Sequence, residues 1–428
     1  MIADRFVLGF LIIGFLVLLV GFIATVLRWM SKDARARGRS KWIPATLFLG
    51  LPLMGGSILG LLRASIPIIA GAILVLPFIG IAVWLVMRPN YSAPVSEKLI
   101  HARTVLRRRL GWLCGGVTVF AVAVPFCISF LVIGAARNMG WKASVNPSTH
   151  RLDPLIFHLR DGKVLSFNDP QIDFGYKFED VEFPAVDGRT LRGWFVPGKE
   201  ASSIAIIAVH GIGEDRRGFL PRLSVFHDAG YPVLLFDCRN RGASDGDGEG
   251  ATLGVNESRD VSSAAHYMKR SRGFLQIVAV GVSQGAASAI LAAGKDPNIN
   301  GVIAEAPFGD FNDLIGTAAS LYGLPHWLAS LTVRMGYWRL NARSTGTPLE
   351  AVAYISPRPL LLIHGTSDTI IPFQASQALF ARARQPKSLW LVQKSNHGVV
   401  FYQHPEEYKR QVTGFLHTYF ALDKTAAD

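Results

Sequence analysis

Apolar positions follow two different patterns along the chain. In the first third they form long uncharged runs: Phe6–Leu27, Ile43–Leu62, Ile66–Met87 and Leu110–Ala136. Each run holds about 20 residues or more, enough for a helix to cross roughly 30 Å of hydrocarbon at about 1.5 Å per residue. Beyond residue 170 the apolar positions come instead in short bursts. These are Val181–Phe183, Leu191–Val196, Ile204–Val209, Pro232–Phe236, Ile277–Val280, Val302–Ala304, Leu360–Ile363 and Leu389–Val392. The first two flank an Asp187-Gly188 turn and predict a hairpin. The others are continuously apolar, as strands buried on both faces are, and helical stretches separate them. A hairpin followed by alternating strand and helix predicts an α/β domain with a mostly parallel sheet and helices on both faces.

The pattern predicts three regions: a four-helix transmembrane region over 1–136, a connector with little periodicity over 137–170, and an α/β domain over 171–424. The first run is too long for the roughly 7–15 residue core of a signal peptide, and Arg28, Trp29 and Met30 follow it where small residues would mark cleavage, so it is read as a retained helix. Five basic residues lie in Ser31–Trp42 and six in Arg88–Arg109. On the positive-inside rule those loops are cytoplasmic. The expectation is a multi-pass integral protein of a plasma or inner membrane with its C-terminal domain on the non-cytoplasmic side.

Charge adds one exclusion. The formal net charge is +13. Residues 1–136 hold fourteen Lys and Arg against three Asp and Glu, and the rest of the chain holds thirty against twenty-eight. The basicity therefore belongs to the first region, and the α/β region shows no nucleic-acid signature. Its one cysteine, Cys238, has no partner for an internal disulfide, and no Cys/His spacing marks a zinc site.

The chemistry centres on Gly281-Val282-Ser283-Gln284-Gly285, between the run Ile277–Val280 and an Ala-rich helix. A serine at a sharp strand-to-helix turn presents an exposed hydroxyl, and the flanking glycines let neighbouring backbone approach. A serine hydroxyl needs a base, usually a histidine oriented by a carboxylate. Asp368 and His397 each follow a predicted strand and complete the order Ser, Asp, His. Asp310, after Val302–Ala304, is a rival acid. These parts need no metal or organic cofactor.

Residues from about 175 to 420 resemble the α/β-hydrolase superfamily, in the group related to dienelactone hydrolase and prolyl oligopeptidase. The residues that carry the resemblance are Asp187-Gly188, Leu191, Gly193–Pro197, His210-Gly211, Asp237, Arg239, Gly242, Ser244, Gly281–Gly285, Pro359–Asp368 and Asn396–Gly398. The resemblance implies an oxyanion hole made by the backbone N–H groups of Gln284 and Ile212. It implies a structural His210, and Asp237 with Arg239 as a structural turn and ion pair. It also implies a cap over roughly 310–347, where Leu321, Tyr322, Trp327, Leu331, Tyr337 and Trp338 could line an apolar acyl pocket or merely pack the cap onto the sheet.

The expected function is a membrane-anchored serine hydrolase that cleaves a small-molecule or lipid-like carboxylic ester: an esterase, lipase-like enzyme or thioesterase. A serine peptidase would use the same parts. A non-catalytic membrane-tethered binding module would share the fold, but it has no chemical need for all three triad residues.

Overall fold

The run Ile204–Val209 is buried along its whole length, and its residues alternate between two cores. Ala205, Ile207 and Val209 enter one cluster, and Ile204, Ile206 and Ala208 the other. That is the burial expected of a strand covered on both faces, with each such aliphatic side chain worth about 1.5–3 kcal/mol when fully buried. In the computed structural model, which describes residues 155–158, 164–246, 250–314 and 346–420 with Ser330 and Val333, this strand lies inside an eight-stranded sheet.

The elements in chain order begin with a two-stranded antiparallel pair, β1 (Leu155–His158) and β2 (Val164–Phe167). A short helix α1 (Pro170–Phe174) follows, capped by the Asp169 side chain. Strands β3 (Glu179–Pro184) and β4 (Thr190–Val196) form the predicted hairpin. Then come β5 (Ile204–Val209), a 3-10 helix (Arg216–Arg222), α2 (Leu223–His227) and β6 (Val233–Phe236). Helix α3 (Glu257–Arg270), β7 (Gln276–Val282), α4 (Gln284–Ala293) and β8 (Gly301–Glu305) continue the chain. The last elements are α5 (Pro348–Ala351), β9 (Leu360–Gly365), α6 (Gln374–Arg382), β10 (Lys387–Val392), α7 (Val400–Gln403) and α8 (Pro405–Tyr419).

The sheet order is β10-β9-β8-β7-β5-β6-β4-β3. Strands β5 to β10 are parallel, and β4 and β3 run antiparallel at one edge. Helices α3 and α4 cover one face through Val261, Ala264, Met268, Ala286, Ala289 and Ile290. Helices α2 and α8 cover the other through Phe226, Tyr408, Val412 and Leu416. From β5 the chain steps to β6 on one side and returns to β7 on the other. The loops after β5 and β7 therefore diverge where a parallel sheet opens a crevice at its carboxyl ends.

Two expectations need correction. Among the described residues no helix is long and apolar enough to cross a membrane, which overturns the reading as a four-pass integral membrane protein. The four apolar runs between Phe6 and Ala136 lie outside the described residues, as does most of the expected cap over 310–347. The connector over 137–170, read as having little periodicity, carries the β1–β2 pair. Its sequence signal was Leu155–Phe157 and Val164-Leu165 on either side of Asp161-Gly162, a short hairpin pattern masked by polar flanks.

Candidate active site

The turn after β7 is forced by its glycines. A Cβ on Gly281 would lie 2.3 Å from the Gly285 carbonyl, and one on Gly285 would lie 2.3 Å from the Val209 carbonyl. Real Cβ atoms do not come that close, so only glycine lets α4 start directly against the ends of β7 and β5. Between them Ser283 holds φ 55°, ψ −120°, a conformation that side-chain-bearing residues rarely adopt. Its N–H donates to the Glu305 carbonyl at 2.8 Å, which fixes the turn to the end of β8.

Ser283 Oγ lies 2.9 Å from His397 Nε2, and His397 Nδ1 lies 2.6 Å from Asp368 Oδ2. The structure thus brings together the three residues named from sequence, from the ends of β7, β9 and β10. The β9 and β10 loops are joined closely. Ser367 N–H donates to the Ser395 carbonyl at 2.9 Å, and a Cβ on Gly365 would lie 2.3 Å from that same carbonyl oxygen. The carboxylate at Nδ1 can only accept, so Nδ1 carries a proton and Nε2 is free to take one from the serine hydroxyl.

Asp368 is enclosed, and four donors surround it. Oδ1 accepts from the N–H groups of Ile370 and Ile371, both at 2.8 Å. Oδ2 accepts from His397 and also from His364 Nε2 at 3.1 Å. Burial works to raise its pKa, but the hydrogen bonds from His364 and His397, the His397 charge and the Ile371 N–H outweigh it. They hold the carboxyl well below the usual carboxylate range. His364 belongs to the same Pro359–Asp368 segment. It is fully buried, with Nε2 also facing the Ile371 carbonyl and Nδ1 2.7 Å from Ser376 Oγ. The rival acid Asp310 instead closes a local turn, accepting from the N–H and side-chain amide of Asn312.

The two expected oxyanion donors come from adjacent strands, since β5 and β7 pair directly. Gln284 begins α4, where unbonded N–H groups and the positive end of the helix dipole gather. The loop carrying Ile212 runs beside the turn, with the Cβ position of Gly211 3.6 Å from the Val282 carbonyl. His210 engages backbone with both ring nitrogens: Nε2 accepts from Cys238 N–H at 3.1 Å, and Nδ1 donates to the Gly211 carbonyl at 2.8 Å.

Asp237 and Arg239 do not pair with one another. Asp237 binds Arg216, with Nη2 to Oδ2 at 2.7 Å, and Arg239 binds Asp260 and Asp187. Sequence reasoning also missed Arg222, Glu305 and Glu214, which are buried or partly buried around the site. Glu305 alone left a trace, an acid closing the otherwise apolar strand β8.

Residues 219–423 match the profile of the prolyl oligopeptidase family. The Escherichia coli K12 protein YfhR, itself uncharacterised, is 30% identical over 270 residues, which span 61% of this chain and 86% of YfhR. The polyketide transferase af380 of Aspergillus fumigatus is 34% identical over 137 residues, covering 31% of this chain and 47% of the transferase. Among solved structures, an esterase of Pyrococcus furiosus superposes with a TM-score of 0.50 at 25% identity, covering 60% of this chain and 96% of the esterase.

Proposed function

The chain belongs to the prolyl oligopeptidase family of α/β-hydrolases, and from that premise we propose that it is a serine hydrolase cleaving a small-molecule carboxylic ester through an acyl-enzyme on Ser283. The observation that carries this reading is the continuous line from Ser283 Oγ through His397 to Asp368, at 2.9 and 2.6 Å.

His397 Nε2 takes the Ser283 proton as Oγ attacks the ester carbonyl. The carbonyl oxygen gains charge and is held by the N–H groups of Gln284 and Ile212; losing one such donor typically lowers the rate by about 10²–10³-fold. His397 passes the proton to the leaving alcohol. It then draws a proton from water as that water attacks the acyl-enzyme, and gives it to Ser283 Oγ as the acid leaves, restoring the free serine. Asp368 stays ionised throughout, fixes the imidazole and offsets the imidazolium charge. The likeness to an esterase supports the ester reading over a peptidase.

A second reading follows from the likeness to a polyketide transferase: the same acyl-enzyme could pass its acyl group to an alcohol in place of water.

The test is labelling of the purified chain with a fluorophosphonate probe beside Ser283→Ala. The expected result is labelling that vanishes in the variant, followed by turnover of p-nitrophenyl esters. Labelling that persists in Ser283→Ala, or a folded wild type that never labels, would sink the reading. Ester products formed when short alcohols are added would favour transfer over hydrolysis.

A further inference from the structure

Arg222 ends the 3-10 helix after the β5 loop and is 2% exposed. Nothing in the reaction described above uses it, yet its guanidinium joins the strand end that holds the Ser283 turn to the loop that carries His397. Nε and Nη2 donate to the two carboxylate oxygens of Glu305 at 3.0 and 3.1 Å. Glu305 is itself 1% exposed, and its backbone carbonyl accepts the Ser283 N–H. Arg222 Nη2 also donates at 2.9 Å to the carbonyl of Gly398, the residue directly after His397. Gly398 has φ +64°, a left-handed turn that glycine adopts without strain. The rings of Phe401, Tyr402 and Tyr408 pack 5.5–5.9 Å from the guanidinium carbon.

We propose that Arg222 is a positioning residue that sets the Ser283 turn and the His397 loop in register with one another. The inference rests on the proposed hydrolase reading. A planar guanidinium with five donors can bind a carboxylate through two parallel bonds and still hold a carbonyl. A lysine ammonium is a point charge and cannot do both in this geometry. Simple structural filling would explain a buried ion pair, but an apolar pair of similar volume does that as well or better. It would not explain why one guanidinium joins the residue whose carbonyl holds the Ser283 N–H to the residue directly after His397.

The test compares wild type with Arg222→Lys and Arg222→Met, reading melting temperature, KM and kcat on p-nitrophenyl esters, fluorophosphonate labelling rate, and the downfield proton resonance of the His397 Nδ1–H in the bond to Asp368. The expected result for Arg222→Lys is a folded protein with kcat and labelling rate lowered about 10²-fold, the effect of a displacement near 1 Å. KM should be little changed and the downfield resonance shifted or lost. Arg222→Met plus guanidinium ion should regain part of the labelling rate. A folded Arg222→Lys or Arg222→Met with wild-type kcat and an unmoved resonance would overturn the inference. If wild type shows no Ser283-dependent labelling, the hydrolase reading fails instead, and the resonance in Arg222→Lys still decides whether Arg222 sets the histidine.

Discussion

Gly281 and Gly285 face each other across the Ser283 turn so closely that a Cβ on the first would sit 2.3 Å from the carbonyl of the second. Two backbone segments meet where no side chain fits, and the half-buried serine between them is held in its turn by that contact. Gly281→Ala should therefore destabilise the fold by about 3 kcal/mol or more, the upper range for overpacking, because the clash is with backbone that cannot rotate away. Urea unfolding checks this; an unchanged midpoint would show that the turn is not sterically closed.

Ser283 carries the strain of that turn at φ 55°. Strain of this kind is worth about 1–3 kcal/mol, while glycine in its place loses about 0.5–1 kcal/mol in chain entropy. Ser283→Gly should therefore abolish ester hydrolysis and raise stability by about 1 kcal/mol. A variant less stable than wild type would mean that the serine hydroxyl contributes more to the fold than its strained backbone subtracts.

Asp368 makes stability depend on acid. Its folded pKa is held below the ordinary value of 3.8. Its contribution is then fully present above that ordinary value and is lost as pH falls through the folded one. Asp368→Asn should flatten the acid limb of the stability curve and lower kcat by about 10⁴-fold, since it also disturbs the imidazole tautomer. His364→Ala, which removes one of the two imidazole donors on Oδ2, should move the acid limb to higher pH. Melting curves from pH 2 to 7 read both variants, and an unmoved limb in either would refute the assignment.

Arg358 binds five carbonyls. Nε donates to Ile355, Nη1 to Asp296 and Ile299, and Nη2 to Ala293 and Tyr354, at 2.6–2.9 Å. Ala293 is the last residue of α4, so the guanidinium caps the far end of the helix that follows Ser283. Hydrogen bonds from a charged group contribute roughly 1.5–3 kcal/mol each, and these five share one side chain. Arg358→Ala should lower stability by about 3 kcal/mol, with Arg358→Lys restoring only part. A thermal melt within 2 °C or so of wild type for Arg358→Ala would count against the cap.

Much of this was legible in the chain itself. Strand periods are local, so each apolar burst beyond residue 170 marked a strand of the large sheet to within a few residues. The steric demands of a strand-to-helix turn are equally local, so Gly281–Gly285, read with the strand before it and the helix after it, marked Ser283 as the candidate nucleophile. The order Ser283, Asp368, His397 followed from strand ends alone. What the chain could not disclose depends on which strand ends the sheet order sets side by side. The exchange of partners that gives Asp237 to Arg216 and Arg239 to Asp260, and the meeting of Arg222 with Glu305 and Gly398, join residues far apart in sequence. Hydropathy over residues 6–136 raised a membrane expectation with no counterpart among the described helices. Short-range sterics and periodicity are written in a few consecutive residues, whereas charge pairing is decided by distance in space, and only the folded sheet sets that distance.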